Sequence, residues 1–163
     1  MTQKLNTQDY TYPQLFALVV LRTLIGWYFL YEGLIKLLSP NWTSFGYLKD
    51  SKGGFASLFD LMTDYEWVMS IVDFINIYGL IVIGLFLILG LFTRIAGLGA
   101  IALLSLYYLS HPPLIVANYM LPTEGSYLWV DKNLIMLFAI VVLLLFPTSK
   151  RIGLDRLIFN KKK

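Results

Sequence analysis

The stretch that decides the fold is LFALVVLRTLIGWYFLYEGLIKLL, residues 15–38, which is long enough to cross a bilayer as one helix. It contains three ionisable side chains, Arg22, Glu32 and Lys36. Because a charge in hydrocarbon is costly, each of these groups must face protein, water or a ligand. Charged residues inside such a span are therefore candidates for a functional site.

Their spacing places the polar residues of this helix on one face. At about 100° per residue, a narrow stripe forms along the helix. The stripe consists of Arg22, Phe29, Gly33 and Lys36, with Gly26 and Glu32 beside it. The other faces carry mainly Leu, Ile, Val, Tyr and Trp, which suit lipid. We expect the functional site to begin at this stripe.

The composition predicts an all-α integral membrane protein. Hydrophobic residues make up 58% of the 163 residues, charged residues 14%, and the mean hydropathy is +0.68. There is no cysteine and only one histidine, so we expect no haem, iron–sulfur cluster or metal site within the chain. Redox chemistry would need a bound organic cofactor or a partner protein. The lipid bilayer is the expected surrounding, and we expect no nucleic-acid partner.

Four apolar runs predict four membrane spans, at about residues 15–38, 68–92, 95–111 and 131–147. Only Thr93 and Arg94 separate the second run from the third, so these two helices should form an antiparallel hairpin. The sequence thus predicts one domain over residues 1–163, a four-helix bundle with short interfacial helices. An even number of spans puts both termini on the same side.

The distribution of basic residues predicts on which side of the membrane the termini lie. Most of them follow the last span or lie in the hairpin turn: Arg94, Lys150, Arg151, Arg156 and Lys161 to Lys163. The opposite loops contain only Lys49, Lys52 and Lys132, so the positive-inside rule predicts cytoplasmic termini in a multi-pass plasma-membrane protein. Three of the four tryptophans lie in those opposite loops, where an interfacial aromatic belt is expected.

Three segments outside the spans are also apolar. Phe55, Leu58, Phe59 and Met62 recur at helical spacing, which predicts a short amphipathic helix in the outer interface. Residues 112–129 are apolar and contain proline, and we expect them to pack over the mouth of the bundle. Residues 152–159 predict a second interfacial helix on the inner leaflet, or else a solvated basic end.

Depth in the membrane brings polar residues from all four spans to the outer end. They are Glu32, Lys36, Asp73, Asn76, His111 and Asp131. Glu32 and Lys36 stand four residues apart, so they form either a structural ion pair or part of a proton-handling site. His111 ends its helix before two prolines, which explains an imidazole structurally, although histidine is also the natural proton carrier near neutral pH.

Arg22 stands apart in the inner half of its span, and we expect no acidic residue in that half of the bilayer. An arginine cannot lose its proton there. It must bond to backbone carbonyls or hydroxyls, reach the inner headgroups, or hold a quinone carbonyl or lipid phosphate. The glycines of the spans, among them Gly26, Gly33 and Gly84, favour close helix packing, with a ligand cleft as the alternative.

These motifs resemble the DoxX family of small four-helix membrane proteins, which includes the DoxD-type subunit of thiosulfate:quinone oxidoreductase. The resemblance rests on the first-span stripe, on the segment from Gly84 through Gly90 to Arg94, and on the segment from Asp131 to Leu134. It implies a four-helix bundle in the bacterial cytoplasmic membrane, associated with redox proteins. The link to a quinone comes from this resemblance.

The resulting hypothesis is a redox-associated membrane subunit that binds a quinone. The ligand-facing residues would be Arg22, Phe29, Gly33, Lys36 and Asn76, and the proton carriers Glu32, His111 and Asp73. An alternative is a non-enzymatic scaffold or assembly subunit whose outer loops dock an extracytoplasmic or membrane partner. A third reading is a small carrier or channel, which would require a homo-oligomer because four short helices leave little room for a pore.

Overall fold

A computed structural model describes residues 10–114, 119–120 and 128–159. Of residue 159 it describes only the backbone. The described residues form helices and no strand. The helices are α1 (Tyr12–Leu38), α2 (Phe45–Lys49), α3 (Ala56–Met62), α4 (Glu66–Phe74), α5 (Leu80–Leu89), α6 (Thr93–Ser110), α7 (Lys132–Leu145) and α8 (Asp155–Phe159). Most of the predicted cover over the bundle mouth, and the basic residues Lys161 to Lys163, lie outside the described residues.

Three helical stretches are long and apolar enough to cross a membrane: Tyr12–Leu38, Glu66–Leu89 and Thr93–Ser110. The shorter apolar helix Lys132–Leu145 packs against α6 and, less extensively, against α1. Their outward faces expose large apolar side chains such as Leu24, Trp27 and Phe138. The predicted all-α membrane fold is confirmed.

The closest helix pairing joins α1 to α5 and depends on glycine. A Cβ atom on Gly84 would lie 2.7 Å from the carbonyl oxygen of Gly26, and one on Gly33 would lie 3.0 Å from the carbonyl oxygen of Ile77. The two backbones can therefore approach only where side chains are absent, as in other membrane helix pairs. The packing interpretation of these glycines agrees with the structure.

The second membrane-crossing stretch is one continuous rod with a π-helical turn, Ile75–Gly79, between α4 and α5. A π turn inserts an extra residue into the helix and is frequently found at functional sites. Here it carries Asn76, one of the predicted outer polar residues. The turn lies toward the end of the bundle that also contains Leu38, Ser110 and Lys132, which we call the cavity end.

The short helices α2 and α3 lie at the cavity end, between α1 and α4. The amphipathic helix predicted from the pattern at residues 55–62 forms as α3, and Phe59 buries its ring in a small cluster with Leu48 and Met69. Asp73 on α4 accepts hydrogen bonds from the backbone nitrogen of Ser44, at 2.8 Å, and from its hydroxyl group. This contact fixes the start of α2 to the second span.

The opposite end, which we call the hairpin end, contains the tight turn between α5 and α6. Gly90 adopts a left-handed conformation (φ 64°) that caps α5. The segment after α7 returns to this turn, where Leu154 donates its backbone N–H to the carbonyl of Leu89 (3.1 Å) and Asp155 donates to that of Gly90 (2.9 Å). The C-terminal segment is therefore docked onto the hairpin.

Candidate functional site

A cavity of about 620 Å³ opens at the cavity end, where α1, the π turn, α6 and α7 converge beside α2. Its volume falls within the usual range of sites for small organic ligands. Six phenylalanine, tyrosine and tryptophan residues line it: Tyr28, Trp42, Tyr47, Phe59, Tyr107 and Tyr119. The ionisable and amide side chains on its wall are Glu32, Lys36, Asn76, His111, Asp131, Lys132 and Asn133.

Helix α1 contributes Glu32 and Lys36 to the wall, one turn apart. Lys36 Nζ lies 5.2 Å from the centroid of the Trp42 ring and 5.6 Å from that of Tyr107, within the range of cation–π attraction. The two charges interact electrostatically, but no direct ion pair joins them. The structural ion pair considered from the sequence is thus not formed.

The π turn supplies Asn76. Its amide nitrogen donates to the carbonyl of Val72 (3.0 Å), and its amide oxygen accepts from the hydroxyl group of Tyr107 (2.6 Å). These two bonds fix the orientation of the amide and tie the second span to the third. Asn76 therefore faces the cavity with its hydrogen-bonding groups already engaged.

His111 follows the last residue of α6 and packs against two tyrosine rings. Its ring centroid is 3.9 Å from that of Tyr47 and 4.8 Å from that of Tyr119. Nδ1 is 3.1 Å from the hydroxyl group of Ser110, whereas Nε2 is buried and has no hydrogen-bond partner among the described residues. Burial lowers the pKa of His111, a trend that Asp50 opposes and Lys52 reinforces.

Asp50 is a member of this site that the sequence pattern did not reveal. It follows α2, is 2% exposed, and places Oδ2 4.0 Å from His111 Nε2. The same oxygen accepts from the backbone nitrogen of Met120 at 2.7 Å, and Lys52 Nζ lies 3.8 Å from Oδ1. Asp50 lies in a loop, where no helical periodicity marks it. Its neighbours Lys49, Ser51 and Lys52 are polar too, so nothing in the sequence distinguishes it.

The start of α7 completes the wall. Asp131 accepts from the backbone nitrogen of Leu134 (2.8 Å) and from the side-chain amide of Asn133 (2.9 Å), so it caps this helix. Lys132 Nζ lies 5.0 Å from the Tyr28 ring centroid. The three candidate spans and the shorter apolar helix α7, with its N-cap Asp131, thus all contribute polar groups to one cavity.

Not every predicted site residue reaches the cavity. Phe29 is 1% exposed in the bundle core, and Gly33 lies at the contact of α1 with the second span. Asp73 is occupied in holding Ser44. The four that line the cavity are Glu32, Lys36, Asn76 and His111. The single ligand-facing stripe is therefore divided, because its members point to core, helix contact and cavity in turn.

Arg22 lies at the hairpin end, away from this cavity. Its guanidinium donates from Nη1 to the hydroxyl group of Thr148 (3.0 Å) and from Nη2 to the carbonyl of Ile152 (2.9 Å). The side chain is 4% exposed, and the space beside it is only about 10 Å³, too small for an organic ligand. The C-terminal segment thus supplies partners for both terminal nitrogens of Arg22, while Nε is buried without a hydrogen-bond partner among the described residues.

The sequence interpretation that Arg22 has no acidic residue at its level is corrected by Asp155, which interacts with it electrostatically. Asp155 accepts from the backbone nitrogen of Phe92 (2.7 Å) and from the hydroxyl group of Thr93 (3.0 Å). Burial raises the pKa of Asp155, but hydrogen bonds from Ser149, Phe92 and Thr93 outweigh this effect and hold the pKa below its usual value. The carboxylate belongs to the C-terminal segment, whose return to the hairpin the sequence did not indicate.

Comparison with known proteins adds one finding. The sequence model of the DoxX family matches residues 17–112, which include most of α1 and all of α2 to α6. The chain belongs to the DoxX family. No curated protein and no solved structure matches it. In this DoxX protein, the described residues contain no group of three or more histidine, aspartate or glutamate side chains placed to hold a metal ion.

Proposed function

We propose that this DoxX protein is a redox-associated subunit of the bacterial cytoplasmic membrane that binds a quinone in its cavity, in the manner of the DoxD-type subunit. The observation that carries the proposal is the combination, in one space of about 620 Å³, of aromatic walls with Glu32, Lys36 and His111. Quinone chemistry is the expectation from the family resemblance, and the cavity has the composition to hold such a ring.

The match is chemical as well as steric. A quinone ring is flat and largely apolar, and it carries two carbonyl oxygens that accept hydrogen bonds. Tyr47, Tyr107 and Trp42 offer aromatic faces for the ring, and the ammonium group of Lys36 offers a charged donor for a carbonyl oxygen. When bound, a quinone would supply reversible two-electron redox chemistry, while Glu32 and His111 hold or release protons.

The distribution of basic residues supports an extracytoplasmic position for the cavity. The positive-inside rule puts the hairpin end, with Arg94, Arg151 and Arg156, at the cytoplasmic face. A ligand in the cavity would then exchange electrons with a donor or partner protein outside the cytoplasm. Residues 128–130 and helices α2 and α3 lie on that side, where such a partner would approach.

The proposal is tested by quinone binding to the purified, delipidated protein. Trp42 lines the cavity, whereas Trp27, Trp67 and Trp129 are exposed by more than half. A protein that retains only Trp42 should show saturable fluorescence quenching by decylubiquinone. A protein that retains only Trp27, whose ring faces lipid, should show only the non-saturating quenching of partition into detergent.

Matched lysine variants locate the site. Lys36→Met should weaken quinone binding about tenfold, because a charged hydrogen bond is lost. Lys150→Met, at the exposed hairpin end, should leave it unchanged. Absence of saturable quenching in the Trp42-only protein, or equal effects of the two lysine variants, would overturn the proposal.

An assembly subunit without redox activity is the second candidate, and the outer helices favour it. Phe45, Phe55, Leu58 and Leu61 expose 45 to 53% of their surface on α2 and α3 or next to them. Such a face would suit a membrane or extracytoplasmic partner. Reciprocal co-purification of one stoichiometric partner with a protein that binds no quinone would favour this candidate, as would its loss in a Leu58→Asp, Leu61→Asp variant.

A further inference from the structure

The C-terminal segment presents apolar side chains on the outer surface of the hairpin end. Leu154, Leu157 and Ile158 recur at i, i+3 and i+4. The backbone nitrogens of Leu157 and Ile158 both donate to the carbonyl of Leu154, so the three side chains share one side of a helical turn. Together with Ile152, they expose 38 to 66% of their surface. Such a face is stable where it enters the boundary between lipid headgroups and acyl chains.

The exposed charges at this end are of one sign. Among the described residues of the hairpin end, the exposed charged side chains are all basic: Arg94, Lys150, Arg151 and Arg156. The one acidic residue that the structure describes there, Asp155, is 6% exposed and turns its carboxylate inward to the α5–α6 turn. Apolar side chains bordered by basic ones are typical of a surface that binds anionic lipid. A second copy of the same surface would bring like charges together, which opposes self-association.

The segment that bears this surface is held in a fixed position on the bundle. Arg22 donates to the carbonyl of Ile152, and the backbone nitrogen of Asp155 donates to the carbonyl of Gly90. Gly153 lies directly on the turn, because a Cβ atom there would be 2.8 Å from the carbonyl oxygen of Gly90. These contacts orient the surface. A ligand that binds the docked segment therefore also stabilises its contacts with the bundle.

We propose that residues 150–158 form a binding surface for anionic phospholipid in the leaflet at the hairpin end, and that lipid bound there stabilises the bundle through the docking of this segment. The apolar side chains enter the boundary of the acyl chains, and the basic side chains contact the lipid phosphate groups. The surface lies at the opposite end of the bundle from the cavity, so this inference does not depend on quinone binding.

Thermal unfolding of the full chain in nanodiscs tests the linkage between lipid and stability. One sample contains phosphatidylcholine alone, and the other also contains phosphatidylglycerol, which is anionic. The anionic lipid should raise the midpoint temperature by about 4 °C, the shift expected when the lipid exceeds its dissociation constant about tenfold. High salt should reduce this gain, because it screens the attraction between exposed charges.

Matched variants locate the surface. The double variant Lys150→Gln, Arg156→Gln should lose most of the gain that phosphatidylglycerol gives. The control Lys49→Gln, Lys52→Gln removes two positive charges at the cavity end and should keep the full gain. Gly153→Ala keeps every charge but forces the segment away from the turn, so its gain should also fall. A full gain in the first variant would overturn the lipid surface, and a full gain in Gly153→Ala would overturn its coupling to the bundle.

A fluorescent label shows what covers the apolar face, because the chain has no cysteine and Leu157→Cys provides a single attachment site. The label should be quenched by phospholipids that carry a spin label near the headgroup, and it should be shielded from aqueous iodide. Quenching by iodide and not by the spin-labelled lipid would overturn the proposal in favour of a solvated segment. Shielding that appears only when two copies of the chain share a nanodisc would overturn it in favour of a contact between copies.

Discussion

The two ends of this bundle both bury charge, but they use it differently. At the hairpin end, Arg22 donates to Thr148 and Ile152, Asp155 accepts from the α5–α6 turn, and only about 10 Å³ of space remains. At the cavity end, Lys36 and His111 border about 620 Å³. Charge alone therefore does not mark a site in a membrane span. Open space bordered by charged and aromatic side chains is the better sign.

The largest expected effect is loss of the hairpin-end contacts through Arg22→Ala. This change removes two charged hydrogen bonds and leaves Asp155 without its cation, so the unfolding free energy should fall by about 3 kcal/mol. Chemical unfolding in mixed detergent measures the loss. Quinone affinity of the folded fraction should not change, and Arg94→Ala, an exposed neighbour, serves as the control.

A quinone affinity that falls in Arg22→Ala while stability is kept would reverse the comparison. Arg22 would then belong to the ligand site, as the sequence stripe had suggested, and the C-terminal segment would be only its neighbour.

The next largest effect on stability is expected midway between the two ends, where α1 contacts α5. Gly84→Val should destabilise the bundle by about 2 kcal/mol, because its side chain would meet the backbone of Gly26 and Leu30. Gly79→Val is the matched control, since the nearest atom to a Cβ there is a side-chain carbon of Ile75 at 3.5 Å. Thermal unfolding should separate the two variants clearly. Equal destabilisation would show that helix propensity, not close backbone approach, sets the requirement for glycine.

A smaller effect concerns the pH dependence of the hairpin end. The pKa of Asp155 is lowered in the folded protein, so its contribution to stability is present above the pKa of an unfolded aspartate, about 3.9. That contribution is lost as the pH falls through the lower folded-state value. Asp155→Asn should reduce stability at pH 7 by about 1 kcal/mol and flatten the acid limb of the profile. Asp64→Asn, an exposed substitution, should leave that limb intact.

The smallest effect on stability is expected at the cavity end. Lys36→Met loses cation–π contacts with Trp42 and Tyr107 but keeps its apolar stem, so the unfolding free energy should change by less than about 1 kcal/mol. The same variant should lose about tenfold in quinone affinity. A large loss of stability without a change in binding would make Lys36 a structural residue like Arg22.

Much of the fold could be predicted because the helices are marked by the periodicity and the length of their apolar runs. The first span and the amphipathic helix at residues 55–62 follow from patterns within a single segment. The hairpin follows as well, although its turn lies at residues 90–92, and Thr93 and Arg94 already belong to α6. Depth alone also grouped six polar residues at one end of the bundle, and five of them line the cavity, Asp73 being the exception. The predicted topology gives each residue an approximate depth in the membrane, so no contact between helices is needed for this grouping.

The features that could not be predicted depend on contacts between segments that are far apart in the sequence. Asp155 reaches Arg22 only because the chain reverses after α7 and docks on Gly90, and no pattern in the sequence indicates that reversal. Asp50 meets His111 through a loop without periodicity. Helical spacing likewise grouped Phe29 and Gly33 with Lys36, although rotation about the helix axis divides them between the core, the α5 side and the cavity.

The central claim is that ligand binding belongs to the cavity end and that Arg22 belongs to the architecture. A crystal of the protein with a brominated quinone analogue tests it most directly, because anomalous scattering locates the bromine. The account predicts a peak in the cavity bordered by Glu32, Lys36 and His111. A peak beside Arg22, with Thr148 and Ile152 displaced from its guanidinium, would contradict it.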